Sequence, residues 1–196
     1  WVEGNAVAGN AVVLNGSEIA PATSRLLAEV LPTYLDPEAF GVVAGDGPTT
    51  QHLISLGVDQ VFFTGGTEVG RKIMEAAAKT LTPVILELGG KSPVIVAEDA
   101  DLDVTARRIA WVKLMNSGLT CIAPDYVLVH ESVKDDLVAR LSAVVTEFTS
   151  AEGPKRIVNR RQFDRLAGYP GQTRGSIALR GGAHARRVAP APPAGV

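Results

Sequence analysis

The chain has 196 residues, 46% of them hydrophobic and 20% charged, and a formal net charge of −2 at pH 7. Such a composition belongs to a globular protein able to bury a core. No apolar run approaches the ~20 residues that cross a bilayer, and an acidic balance does not suit a nucleic-acid surface. The charge is uneven, because residues 165–196 carry five of the 19 basic side chains and none of the 21 acidic ones. A single cysteine, Cys121, excludes an internal disulfide and fits a reducing compartment. With no signal-peptide pattern, a cytoplasmic location is expected, and a first residue of Trp1 rather than Met gives the expectation that the natural beginning is missing.

In chain order, Ala11-Val12-Val13-Leu14 predicts a buried strand, followed by a tight turn at Asn15-Gly16-Ser17. The spacing of Leu26, Leu27, Val30 and Leu31 predicts a helix that opens at Pro21 and closes at Pro32. Val42-Val43 is the next strand, and after the Gly45-Asp46-Gly47 turn a short helix is expected through Leu53 and Leu56. Val61-Phe62-Phe63 forms a third strand, a helix runs through Ile73, Met74 and Ala77, and Val84-Ile85-Leu86 closes the series. Four short apolar strands alternating with helices predict an α/β fold with a doubly wound, Rossmann-like parallel sheet, whose ligands bind at the strands' carboxyl ends. Both the turn Thr64-Gly65-Gly66-Thr67 and Glu87 fall at that edge.

Beyond Gly90 the pattern changes. Val94-Ile95-Val96 is a strand, and the acidic run Asp99 to Asp103 starts a helix expected to reach about Met115, its carboxylates complementing the helix dipole. Asn116 to Pro124 is a loop carrying Cys121. Tyr126 to Val129 is a strand, and Val133, Leu137, Val138, Leu141, Val144, Val145 and Phe148 share one helix face. The expected organisation is therefore a first domain over 1–88, a second over 89–168, and a disordered tail over 169–196, where glycine, proline, alanine and arginine dominate. The abruptness of the break near Gly168 predicts a truncated or frameshifted reading frame, which sequencing of the source gene across this point tests.

Two residues are the first candidates for chemistry. Cys121 is a soft nucleophile in a Gly/Ser/Thr loop, and Glu87 ends an apolar strand between two leucines, where partial desolvation would raise its pKa toward that of a useful base. Composition alone also allows a structural cysteine and a surface glutamate. Asn116 could donate to an oxyanion or serve as a helix C-cap. Gly65-x-Thr67-x-x-Gly70 permits close backbone approach at a helix N-terminus, where pyrophosphate is received, or else reflects strand–helix packing. His52, His130 and His184 have no ligand-like spacing, so no metal is expected. The tail arginines are expected to be solvated.

The wording around these residues resembles the aldehyde dehydrogenase superfamily, nearest its class 3-like branch, from about Gly9 to about Gly168. Leu86-Glu87-Leu88-Gly89-Gly90-Lys91 and Gly118-x-Thr120-Cys121 carry the resemblance, with the same separation between glutamate and cysteine as in the family. The resemblance implies that Cys121 attacks an aldehyde, that hydride passes to NAD or NADP, and that Glu87 activates the water that releases the acid. It implies nucleotide contacts at Glu18, Gly65, Gly66, Thr67, Gly70, Leu88 and Gly89. Asn15-Gly16-Ser17-Glu18 stands where the branch has Lys-Pro-Ser-Glu; Glu18 matches and Asn15 does not. A carboxylate there favours the ribose hydroxyls of NAD over a 2′-phosphate. The family's main oxyanion asparagine lies in a Trp-Asn-x-Pro segment, whereas Val2 follows Trp1 here, and the family's oligomerisation segments are also missing. Two other functions stay open: an inactive remnant that keeps nucleotide binding or associates with a relative, and a cysteine-dependent esterase.

Overall fold

A computed structural model describes residues 8–152 and 156–179. Trp1 and most of the arginine- and proline-rich tail, residues 180–196, lie outside them. The described chain forms two compact units, the first ending at Glu87 and the second beginning at Leu88.

In the first unit, strands and helices alternate. Strand β1 (Val12–Gly16) is followed by α1 (Pro21–Tyr34), β2 (Phe40–Ala44), α2 (Gly47–Ser55), β3 (Val61–Thr64), α3 (Thr67–Ala78) and β4 (Val84–Glu87). Among the described residues the four strands hydrogen-bond two by two: β1 runs parallel to β2 and β3 parallel to β4. Each pair is closed by a helix between its strands, the crossover that parallel neighbours require. The fold class is thus α/β with parallel strands, as the alternation predicts. The core gathers Ile54 of α2 with Ile73 and Ala77 of α3, packed against Val61, Phe63, Val84 and Leu86 of the two strands.

The second unit repeats the scheme once. Strand β5 (Ser92–Val96) leads to α4 (Leu102–Leu114), a 3-10 turn (Met115–Gly118) and β6 (Pro124–Val129), which pairs parallel to β5. Helices α5 (Lys134–Glu152) and α6 (Arg160–Gln172) follow. Asp101 caps α4, its carboxylate accepting from the amides of Asp103 and Val104, so the acidic run starts the helix as expected. The core here is Val96, Ala106 and Leu137, with Val94, Val127 and Val129 from the sheet and Leu141 and Val144 from α5. Arg107 makes a two-bond contact with Glu147, and Arg140 bonds Asp103, so α4 and α5 are tied by two ion pairs. Hydrogen bonding to Asp103, with the carboxylate's charge, raises the Arg140 pKa.

Two helix ends differ from expectation, and for one reason. Pro32 does not close α1, which runs on to Tyr34, and Tyr169 does not begin a tail, because α6 continues through Pro170 to Gln172. Each proline is the third residue from its helix end. There its missing N–H removes one bond, while the next residues still bond backward: Leu35 donates to Leu31, and Thr173 to Tyr169.

Candidate active site

The first group of candidate residues lies at the carboxyl end of the β3–β4 pair. Thr64 is in register with Glu87, and the Gly65 amide donates to the Glu87 carbonyl at 3.0 Å. The structure thereby brings the glycine turn and the glutamate to one edge, as the topology predicts. Glu87 itself is exposed, however, and the flanking leucines do not desolvate it. Successive strand residues point to opposite faces: Leu86 turns into the core and Glu87 turns away from it.

The glycines of the turn have different physical reasons. A Cβ on Gly65 would lie 2.5 Å from the Phe63 ring, so this glycine answers to packing within the unit. Gly70 is buried inside α3, again a packing role. Gly66 caps α3 in an extended conformation, and a Cβ there would meet nothing within 4 Å. Thr67 follows as the first residue of the helix and is exposed. Gly66 and Thr67 therefore present open space at a helix N-terminus, whose first-turn amides and positive dipole end suit a phosphate.

Glu18 follows the carboxyl end of β1, in the other strand pair, on an exposed turn closed by the Ala20 amide donating to the Ser17 carbonyl. Asn15, near the end of the same strand, has a structural task that sequence reading missed. Its Nδ2 donates to the Val43 carbonyl at 2.9 Å, and its Oδ1 accepts from Thr50 Oγ1 at 2.6 Å. One half-buried amide thus joins β1, β2 and α2. The polarity of Asn15 at the end of an apolar strand was the available signal.

In the second unit, Cys121 is an exposed free thiol. The chain reaches it through three successive residues of positive φ: Asn116 at 48°, Ser117 at 57° and Gly118 at 76°. Asn116 stands just past the Met115 cap of α4, in the left-handed conformation that follows many helix C-termini, and its carbonyl accepts from Leu119. Its geometry is that of the capping alternative, and its side chain is left on the surface. Leu88 is half-buried and Gly89 is exposed, with nothing within 4 Å of the position of a Cβ.

Lys91 and Asp125 were not recognised from the sequence as a pair. Lys91 Nζ lies 3.0 Å from one carboxylate oxygen of Asp125, linking the segment that enters β5 to the second residue of β6. His130 accepts the Ser132 amide at a 3-10 turn, and among the described residues no group of three or more His, Cys, Asp or Glu side chains is gathered around a metal-sized space. No helix among those residues is long and apolar enough to cross a membrane.

Comparison with known proteins agrees with these motifs. The Aldehyde dehydrogenase family model matches residues 3–187, continuing past Gly168, where the motif wording stops. The dimeric NADP-preferring aldehyde dehydrogenase of Canis lupus familiaris is 44% identical over 192 residues, 95% of this chain and 42% of that protein. Aldehyde dehydrogenase family 3 member A2 of Mus musculus is 46% identical over 168 residues, 83% of this chain and 35% of its own length. A substrate-bound Staphylococcus aureus AldH structure superposes with a TM-score of 0.77 at 43% identity, covering 84% of this chain and 37% of that one. The chain thus spans about two-fifths of the length of the curated relatives it matches. With the match extending over nearly all its residues, the chain belongs to the aldehyde dehydrogenase family.

Proposed function

We propose that this chain carries the nucleotide-turn and nucleophile segments of an enzyme that oxidises an aldehyde to a carboxylic acid with NAD or NADP. The observation that carries this reading is the exposed thiol of Cys121, presented on the Gly118-x-Thr120-Cys121 loop of a family member. In this reading the first unit is part of the nucleotide-binding domain and the second is part of the catalytic domain.

Cys121, as thiolate, adds to the carbonyl carbon of the aldehyde and forms a thiohemiacetal. When bound, the nicotinamide cofactor supplies the hydride acceptor that turns this adduct into a thioester. Glu87 then takes a proton from water as the water attacks the thioester, which releases the acid and returns the thiolate. Asn116 ends α4 through its backbone, which leaves its surface side-chain amide as the candidate donor to the oxyanion that forms at each addition. Gly66 and Thr67, at the open end of α3, receive the pyrophosphate, with Gly65 and Gly70 holding the turn in place. Glu18 accepts from the ribose hydroxyls and favours NAD, while Leu88 and Gly89 contact the cofactor.

The test is formation of reduced nicotinamide from an aromatic and a long aliphatic aldehyde, with each cofactor, by this chain and its Cys121→Ser variant. Production that disappears in the variant is expected. A folded sample that produces none, or a variant that retains it, contradicts the assignment.

A further inference from the structure

We propose that Gly90 and the Lys91–Asp125 ion pair are positioning elements for the backbone of Cys121, an inference that rests on Cys121 being the nucleophile. The segment Gly89–Lys91 runs into β5, the segment Cys121–Ala123 runs into β6, and the two strands are parallel neighbours. The entering segments therefore lie side by side, and three features tie together these segments and the first residues of the two strands.

The first is a close approach. A Cβ on Gly90 would lie 3.1 Å from the carbonyl oxygen of Cys121. No side-chain rotation relieves a contact with backbone, so any larger residue must push the Cys121 peptide by a few tenths of an ångström. Gly90 does not have the positive φ that would itself require glycine, so the contact is what the site asks of it. The second is a bulge. Ser92 pairs with Pro124, but Pro93 pairs with Tyr126, which leaves Asp125 as an extra residue on β6. Bulges re-aim the chain next to active sites and accommodate prolines, which cannot donate to a ladder. The third is the ion pair, in which the extra residue Asp125 accepts from Lys91 Nζ at 3.2 Å through one oxygen and lies 3.0 Å from it through the other. The Lys91 side chain is 80% exposed and that of Asp125 32%. A pair so open adds little to global stability, so its removal reports on local placement rather than on folding.

The test uses the full chain, Gly90→Ala, Lys91→Met and Lys91→Arg. Cys121 is the chain's only cysteine, so its modification is read without ambiguity. Two reactions are compared. p-Nitrophenyl acetate transfers its acetyl group to Sγ, with release of p-nitrophenolate and loss of the thiol proton to solvent, and depends on how the thiol is presented to a carbonyl. Iodoacetamide alkylation reports the free thiol alone. A 1 Å misplacement costs about 10²-fold, so the smaller shift expected in Gly90→Ala and Lys91→Met should slow acylation about tenfold. Alkylation and Tm should remain at wild-type values, and Lys91→Arg should restore acylation. Wild-type acylation in both Gly90→Ala and Lys91→Met overturns the proposal. If the wild-type chain is alkylated but never acylated, the nucleophile assignment falls, and positioning is read instead from hydrogen exchange at Ala123, whose amide donates to Thr120 at 3.0 Å. Faster exchange in both variants supports it and equal exchange overturns it.

Discussion

The Gly65 amide donates to the carbonyl of Glu87 at 3.0 Å, so the turn that opens α3 is fastened to the residue assigned as base. The two glycines of that turn separate packing from binding. Gly65→Ala drives a methyl into the Phe63 ring and should cost about 1–3 kcal/mol of stability, the usual range for overpacking. Gly66→Ala adds a methyl to open space and should cost no more than about 1 kcal/mol, the preference of an N-cap for glycine over alanine, while weakening nucleotide binding by calorimetry. Equal nucleotide affinity in Gly66→Ala would remove the phosphate from this turn.

Asn15 acts as a clip between β1, β2 and α2. Thr50→Val removes the bond to Asn15 Oδ1 and should lower stability by about 1 kcal/mol, the net worth of a typical hydrogen bond. Asn15→Ala loses the bond to Val43 as well and should cost more. Urea midpoints of the two variants decide the order; a smaller loss in Asn15→Ala would show that the clip contributes little.

Ser117 holds a φ of 57° between Asn116 and Gly118. A left-handed conformation costs a non-glycine residue roughly 1–2 kcal/mol, partly offset by the greater unfolded-state entropy of glycine. Ser117→Gly should therefore raise stability by about 0.5–1 kcal/mol, seen as a higher Tm. A lower Tm would mean that the serine side chain stabilises the turn.

Leu137 is 2% exposed in the core of the second unit, whereas Ile95, on the other face of β5, is 77% exposed. Leu137→Ala should cost about 2–5 kcal/mol, and Ile95→Ala about 0.5 kcal/mol or less. Chemical denaturation followed by circular dichroism tests both. Comparable losses would mean that the exposed face of β5 is covered in solution.

Strands and helices were legible where apolar residues kept a period, as in Val61-Phe62-Phe63 and the Leu137-Leu141-Val144 face. Caps were legible too, since Asp101 sits before an acidic first turn. Pro32 and the glycine- and proline-rich composition after Gly168 misled because a proline near a helix end, as at Pro32 and Pro170, costs only one bond, a distinction that composition does not carry. The expected burial of Glu87 misled in another way: its leucine neighbours suggested a dry site, but strand alternation turns Leu86 into the core and leaves Glu87 exposed. The Asn15 clip and the Lys91–Asp125 pair join residues 35 and 34 positions apart, and no local pattern encodes such partners. The left-handed run before Cys121 is likewise silent in sequence, because Ser117 has no intrinsic preference for it.

The central claim is that Cys121 carries the acyl group and Glu87 removes it. The most direct measurement is the intact mass of the Glu87→Gln chain after incubation with an aldehyde and NAD or NADP, followed by peptide mapping. The account predicts an acyl adduct that accumulates on Cys121 in Glu87→Gln, is absent without cofactor, and is absent in Cys121→Ser. A folded Glu87→Gln chain with no adduct, or an adduct on another residue, would contradict it.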